Sequence, residues 1–205
     1  DFFREKRTGI FMQRRTIPTT VGYEGTTPYA NIGAVKNSGI DATVIYNKAI
    51  NKDFIISFRG TFSYAHNEIT AQDEPQLIYP YMSKLGHPVN SVQGLVAQGL
   101  YKDIDDINNS PAPKFTASVQ PGDIKYKDLN NDGEITGNDI TTIGNPTIPE
   151  IVYGFGPSIK YKHFDFSFYF QGIAKVSLLM SAHHPFNNGT NSGFNLSKWI
   201  VDNHW

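Results

Sequence analysis

One segment of the sequence has residue types and spacing suited to binding a metal ion. Residues 128–139 read DLNNDGEITGND, with oxygen-bearing side chains at positions 1, 3 and 5, glycine at position 6 and a carboxylate at position 12. Side chains at alternate positions of a tight loop converge on one hard cation, and glycine takes the sharp turn. The pattern predicts a structural Ca²⁺ that pins the loop, with these ligands: Asp128, Asn130, Asp132, the carbonyl of Glu134, and Asp139.

The same twelve residues also fit a turn without a metal. Asn and Asp near Gly form turns in which the side-chain oxygen accepts a hydrogen bond from a nearby backbone N–H. A full EF-hand has Glu at position 12 and a helix on each side. Here position 12 is Asp139, and the flanking segments 126–127 and 140–143 are short. The residues alone leave both interpretations open.

No cluster of residues in the sequence indicates catalysis. The sequence has no cysteine, which excludes disulfides, thiolate metal sites and a cysteine nucleophile. Its six histidines show neither H-x-x-x-H nor H-E-x-x-H spacing, and there is no nucleophile elbow, P-loop or G-x-G-x-x-G segment. We therefore predict that the chain is not an enzyme and has no catalytic or cofactor-binding residue.

Charge excludes one class of partner. The 205 residues carry 18 Lys and Arg against 19 Asp and Glu, a formal charge of -1. Binding to the phosphate backbone of a nucleic acid needs a surplus of basic side chains, so we expect no nucleic-acid partner. The longest apolar runs are interrupted at every second position and are too short for a membrane-spanning helix.

The elements that must position the predicted loop are β-strands. Apolar residues recur with a period of two, most clearly in the segment 164–171, FDFSFYFQ, where phenylalanine occupies alternate positions. The predicted strands cover about 1–15, 32–46, 53–66, 151–161 and 164–173. The predicted fold is all-β and antiparallel.

An aromatic row on a strand has two interpretations. In a soluble sandwich or barrel the row packs into the core, whereas in an outer-membrane barrel it faces lipid and the polar side chains face the lumen. The predicted strands 53–66 and 151–161 have ten or more positions. This length exceeds the five or six residues usual in soluble proteins and matches a tilted membrane strand. The pattern favours a transmembrane barrel.

The connections between the predicted strands are strongly unequal. The turns at 47–52 and 162–163 are short, whereas the loop at 67–150 contains eight of the 12 prolines and shows no sustained periodicity. A second long loop covers 174–205. Short turns on one rim and long loops on the other are typical of outer-membrane barrels. We therefore expect the two long loops to be extracellular.

Several segments, in this order, closely resemble SusC/RagA-type TonB-dependent outer-membrane transporters of Bacteroidetes. They are PYANIGAVKNSGI at 28–40, DEP at 73–75, PGDIKYKD at 121–128 running into the Asn/Asp/Gly loop, IGNP at 143–146, YGF at 153–155, and the segment 164–172. The resemblance covers most of the chain.

The resemblance implies a piece of a bacterial outer-membrane barrel of about 22 strands. Such a barrel contacts outer-membrane lipid and imports glycans or peptides with a SusD-like surface lipoprotein, and TonB, ExbB and ExbD energise it through an N-terminal region absent here. We expect a fragment of the C-terminal half, without signal peptide, plug or final strands. The resemblance places the acidic loop outside the cell, with Asp128, Asn130, Asp132, Glu134 and Asp139 as cation ligands. It supplies no substrate-contacting residue.

The alternative function is a soluble, calcium-stabilised β-domain that binds carbohydrate. The two hypotheses differ in the surroundings of the phenylalanines at 164, 166, 168 and 170. A soluble domain buries them in a closed core, whereas a barrel wall leaves them uncovered.

Overall fold

The computed structural model describes residues 1–17, 19–22, 28–178, 198 and 202. The chain forms two units, one of Asp1–Val96 with Gly137–Ser177 and one of Ala97–Thr136 with Leu178–Trp205. The strands in chain order are β1 (Phe2–Gln13), β2 (Tyr29–Asn51), β3 (Phe54–Ala71), β4 (Val92–Gly94), β5 (Ala97–Leu100), β6 (Ala112–Pro113), β7 (Ile124–Tyr126), β8 (Glu134–Ile135), β9 (Thr141–Ile143), β10 (Ile151–Tyr161), β11 (Phe164–Ser167) and β12 (Phe170–Ala174). The helical elements are α1 (Ile104–Asn108) and 3₁₀ turns at Thr19–Val21, Pro80–Met82 and Gly137–Asp139.

The first unit contains an antiparallel sheet in the order β1-β2-β3-β10, with β11 and β12 both paired to β10. Ser158 pairs with Ser167, and Phe155 pairs with Phe170. Both pairs belong to one register, so β11 and β12 form a single line of chain that is interrupted only at 168–169. The all-β, antiparallel fold class is confirmed. No helix among the described residues is long and apolar enough to cross a membrane.

The two central strands extend beyond the predicted ranges. The prediction of 32–46 corresponds to Tyr29–Asn51, and that of 53–66 corresponds to Phe54–Ala71. The added residues pair across the two strands, as Asn37 does with Asn67. Backbone pairing continues where both side chains are polar, so the hydrophobic alternation that located the strands underestimates their length.

Two short turns close one end of the sheet. The turn between β2 and β3 is Lys52-Asp53, shorter than the predicted 47–52, and the Asp53 N–H donates to Oδ1 of Asn51 at 2.9 Å. The turn between β10 and β11 is Lys162-His163, with Lys162 at φ 53°. The Lys162 N–H donates to the carbonyl of Asp53 at 2.7 Å. The two turns therefore lie side by side at one rim.

The long connection between β3 and β10 contains short strands that the sequence pattern did not predict. β4 pairs with β9 in the first unit, while β5 pairs with β7 and β6 with β8 in the second. Val92 pairs with Ile143, for example. Partners so distant in sequence leave no local periodicity. Most of the predicted loop 174–205 lies outside the described residues.

The sheet has very little hydrophobic core of its own. The buried hydrophobic residues in the described part of the chain are Ile69, Tyr101 and Ile135, whereas many large apolar side chains on the strands are exposed. A soluble sheet buries one apolar face against another layer. The sheet of β1, β2, β3, β10, β11 and β12 instead leaves large apolar side chains uncovered.

Candidate functional site

One face of the sheet is a continuous aromatic surface. Phe164, Phe166, Phe168 and Phe170 are 79%, 63%, 43% and 57% exposed. Register places Phe170 opposite Phe155 on β10, and the neighbouring rings of Phe168 and Phe170 contact edge to face at 5.4 Å between centroids. The sequence pattern correctly placed these rings on one face. Their exposure argues against a closed soluble core.

The opposite face carries polar groups joined by hydrogen bonds. The Ser63 hydroxyl donates to Oδ1 of Asp41 at 2.5 Å, across β2 and β3. The hydroxyls of Thr61 and Tyr169 lie 3.0 Å apart. The Tyr169 ring lies over Gly154, where a Cβ atom would be only 2.8 Å from two ring carbons. The sheet therefore separates a lipid-compatible surface from a water-compatible surface.

Asp73 connects the end of β3 to the segment that follows β1. Its carboxylate accepts hydrogen bonds from the backbone N–H groups of Arg15 (2.6 Å) and Thr16 (3.0 Å) and from the Thr16 hydroxyl (2.8 Å). The Thr16 hydroxyl bond, together with the two backbone bonds and the charge of Arg14, lowers the pKa of Asp73 from its ordinary 3.8 to about 2. The carboxylate is therefore ionised at neutral pH and fixes two chain segments.

Glu74 organises the chain that follows β3. Its oxygens accept hydrogen bonds from Gln72 Nε2 (2.5 Å), the Ser83 hydroxyl (2.6 Å) and the Lys84 backbone N–H (2.7 Å). Burial raises the pKa of Glu74, but these hydrogen bonds outweigh burial and the pKa lies below its ordinary 4.5. The segment 72–84 is held in a defined conformation by this carboxylate.

A cluster of Glu150, His66 and Lys175 joins three strands, toward the rim opposite the two short turns. The Glu150 side chain is only 7% exposed, and its oxygens lie 2.5 Å from Nδ1 of His66 and 3.6 Å from Nζ of Lys175. The Glu150 carbonyl also accepts the backbone N–H of Ala65, and the Glu150 N–H donates to the Lys175 carbonyl. A buried carboxylate is stable when it is paired in this way, so the cluster fixes the start of β10 and the end of β12 to β3.

The predicted cation loop forms hydrogen-bonded turns in the second unit. The Asp128 carboxylate accepts the N–H groups of Asn131 (2.6 Å) and Gly133 (2.8 Å), and Asp132 Oδ1 accepts that of Glu134 (2.9 Å). The amide of Asn130 donates to Asp132 Oδ2 at 2.7 Å. Gly133 has φ 83°, the left-handed conformation expected at position 6. This is the turn geometry of the metal-free alternative.

Each carboxylate oxygen of Asp128 and Asp132 can accept more than the one hydrogen bond described above. Each carboxylate oxygen has two lone pairs, and one N–H occupies only one of them. The side chain of Glu134 pairs with Lys114 at 2.9 Å. In the described part of the chain, no group of three or more His, Asp or Glu side chains is placed to hold a metal ion. The fifth predicted ligand, Asp139, is fully buried in the first unit.

Sequence reasoning missed the structural roles of Asp73, Glu150 and Tyr169. Asp73 and Glu74 stood out only through family resemblance, and the partners of Asp73 lie 57 and 58 residues away. The signal that could have drawn attention to Tyr169 was the pair of strand glycines, Gly154 and Gly156, since glycine inside a strand often marks a close approach.

Comparison with known proteins identifies relatives over nearly the whole chain. TonB-dependent receptor P26 of Formosa agariphila is 27% identical over 218 aligned residues, covering 97% of this chain and 21% of the relative. TonB-dependent receptor P3 of the same organism is 27% identical over 163 residues, covering 73% of this chain and 16% of the relative. No family model matches the chain.

Solved structures show the same fold. The RagAB peptide importer in its closed-closed state superposes with a TM-score of 0.58 at 19% identity, covering 85% of this chain and 19% of that chain. The RagAB peptide transporter gives a TM-score of 0.58 at 20% identity. The curated relatives are named receptors, in agreement with the prediction that the chain is not an enzyme. The resemblance found in the sequence is thus confirmed: this chain is similar to SusC/RagA-type TonB-dependent transporters and spans about a fifth of the length of its relatives.

Proposed function

We propose that the chain forms part of the wall and outer loops of a TonB-dependent transporter in the bacterial outer membrane. The observation that carries this proposal is the two-faced sheet, with exposed phenylalanines from Phe164 to Phe170 on one face and the Thr61–Tyr169 and Asp41–Ser63 pairs on the other. In a barrel, the aromatic face contacts lipid and the polar face lines the lumen.

The connections support an orientation in the membrane. The two-residue turns Lys52-Asp53 and Lys162-His163 lie together at one rim, which we assign to the periplasmic side. The chain between β3 and β10 leaves from the other rim and contains the predicted cation loop. Long loops on the outer side are typical of these barrels.

The full transporter would import oligosaccharides or peptides together with a SusD-like surface lipoprotein, with energy supplied by TonB, ExbB and ExbD. The sequence resemblance supports these partners, and the first solved relatives are described as a peptide importer. At 19% identity the similarity to these solved structures supports the fold alone. The partner and the cargo are therefore inferred from the resemblance of the sequence segments.

We also propose that Asp128, Asn130, Asp132 and the Glu134 carbonyl bind Ca²⁺ in the second unit. Support comes from the twelve-residue spacing and from Gly133, whose φ of 83° allows the sharp turn required at position 6. The cation would stiffen an outer loop and has no part in transport chemistry. Asp139 as a further ligand stays a prediction of the sequence.

The proposed function is tested by expressing the full-length protein with an affinity tag in its source bacterium. We expect the protein in the outer-membrane fraction, extraction only with detergent, and co-purification of a surface lipoprotein. Uptake of its cargo should be lost when the tonB gene is deleted. Recovery of the full-length protein from the soluble fraction without detergent would contradict the proposal.

A further inference from the structure

A pocket lies between the outer end of the sheet and the chain that follows β3. Its main part has a volume of about 300 Å³, and an apolar recess of about 170 Å³ adjoins it. The two parts share Met12, Ile69, Gln72 and Val89 in their walls, so they lie next to each other. Ile69 has the same strand parity as Thr61 and Ser63 and therefore lies on the polar face of the sheet.

Backbone hydrogen bonds hold the pocket open in a defined shape. The Ile69 N–H donates to the His87 carbonyl at 3.0 Å, and the Gly86 N–H donates to the Ile69 carbonyl at 2.9 Å. The Val89 N–H donates to Oδ1 of Asn67 at 2.7 Å. Glu74 fixes the opposite wall through Ser83 and Lys84. A preformed cavity loses little entropy when a ligand binds.

The apolar side chains in the walls of the pocket are aliphatic. They include Met12, Ile69, Leu77, Met82 and Val89, and no aromatic ring lines either part among the described residues. A sugar ring is held well by a flat aromatic side chain, which this pocket lacks. Branched and thioether walls instead match an aliphatic side chain, because burial of apolar area favours binding.

The main part of the pocket also has charged and amide side chains in its walls. Asp73 and Glu74 line it, but their oxygens already accept hydrogen bonds from the protein. Arg15 and Lys84 also line the main part of the pocket, and the charge of Lys84 contributes to the lowered pKa of Glu74.

Two glutamine side chains also line the pocket, Gln93 in the main part and Gln72 in both parts. The Nε2 group of Gln72 donates to Glu74, and that of Gln93 donates to the Met82 carbonyl. These two bonds fix the orientation of both amides. Their side-chain carbonyls are suited to accept N–H groups of a ligand. A peptide supplies such donors at every residue, together with a carboxylate at its C-terminus.

We propose that this pocket binds a peptide, with an aliphatic side chain in the recess lined by Met12, Ile69 and Val89 and a carboxylate beside Arg15 and Lys84. The inference rests on the proposed import function and narrows the cargo of this site to peptides. It assigns specificity to the segment 72–93, which belongs to the long connection between β3 and β10.

The test is isothermal titration calorimetry on the purified full-length protein in detergent. The probes are a tetrapeptide with C-terminal leucine, its C-terminal amide, the same peptide ending in serine, and maltotetraose. We expect the leucine acid to bind saturably, and the amide and the serine peptide to bind about tenfold or more weakly, since each loses an interaction worth about 1.4 kcal/mol. Maltotetraose should not bind at this site.

Three variants localise the binding. Lys84→Gln should weaken the leucine acid about tenfold and leave the amide nearly unchanged, because only the acid uses the charge. Val89→Trp should fill the recess and abolish binding. The matched control Ile78→Trp adds the same ring at a site that is 70% exposed and does not line the pocket.

The proposal would be overturned if the leucine and serine peptides bound equally, or if neither bound. It would also be overturned if maltotetraose bound and Val89→Trp abolished that binding. Insensitivity of the leucine peptide to both Lys84→Gln and Val89→Trp would also overturn it. These outcomes leave the transporter assignment standing if the protein remains in the outer membrane with TonB-dependent uptake. Failure of that fractionation test refutes the transporter assignment itself.

Discussion

The hydroxyl of Tyr169 lies 3.0 Å from the hydroxyl of Thr61, although β10 separates the two residues in the sheet. The tyrosine ring crosses β10 over Gly154, and the Thr61 hydroxyl also lies 3.4 Å from the Gly154 carbonyl. Three adjacent strands are thus joined on the polar face by one side chain. The glycine is required because any Cβ would occupy the position of the ring.

Replacing Gly154 by valine should therefore destabilise the wall. The new side chain would displace Tyr169 and break its bond to Thr61, at a cost of about 1–3 kcal/mol for overpacking. The measurement is the free energy of unfolding of the full-length protein in urea. Gly60→Val is the matched control, because a Cβ at Gly60 meets Phe58 at an ordinary 3.4 Å. Equal stability of the two variants would contradict this account.

Asp73 should make stability depend on pH in a narrow acidic window. The folded pKa of about 2 lies below the ordinary 3.8, so the unfolded chain binds more protons between these values. The stabilisation is fully present above about pH 4 and is lost as pH falls toward 2. Asp73→Asn should reduce this part of the slope of unfolding free energy against pH.

The control for this prediction is Asp53→Asn in the short turn at the opposite rim, where the carbonyl of Asp53 and not its side chain accepts the Lys162 N–H. That variant should keep the wild-type slope between pH 2 and 4. An unchanged slope in Asp73→Asn would show that the bonds to Arg15 and Thr16 do not link this carboxylate to folding.

How much of the molecule the sequence predicts depends on the distance between partners. The row from Phe164 to Phe170 and the turn at Lys162 follow from local alternation and local backbone preference, and both are found in the structure. The bonds of Asp73 to Thr16 and of Glu150 to His66 join residues 57 and 84 positions apart. No local pattern encodes such pairs, and family resemblance alone drew attention to Asp73.

The pocket was unpredictable for the same reason. Its walls combine Met12 from β1 with Ile69 from β3 and Val89 from a segment without regular structure. These residues share no motif, and each has an ordinary apolar type. Pairing of β1 with β2 and of β2 with β3, together with the bonds of Ile69 to Gly86 and His87, brings them together.

Calcium should protect the loop around Asp132 from proteolysis. The full-length protein is digested with and without chelator, and cleavage between residues 126 and 140 is followed by mass spectrometry. We expect chelation to speed cleavage several-fold, because the ion restrains the loop. In Asp132→Asn the hydrogen bond from the Glu134 N–H is conserved but the charge is lost, so calcium protection should decrease.

Asp105→Asn, a change of charge on α1, should leave calcium protection intact. This control separates a general effect of charge from binding at the loop. If chelator changes cleavage neither in wild type nor in Asp105→Asn, the hydrogen-bonded turn without metal is the correct interpretation of residues 128–139.

The two faces of the sheet should respond oppositely to a charge. Phe166 pairs with Ile159 on the aromatic face, and its neighbour Ser167 pairs with Ser158 on the polar face. An arginine on the lipid side of a barrel costs about 2–4 kcal/mol at mid-membrane and less near the interfaces. Phe166→Arg should therefore lower the free energy of unfolding in lipid vesicles. Ser167→Arg should leave the free energy of unfolding within about 1 kcal/mol of the wild-type value, because its side chain faces water. Equal costs at both positions would mean that the 63% exposure of Phe166 is not exposure to lipid, and the wall would have to be covered by another protein surface.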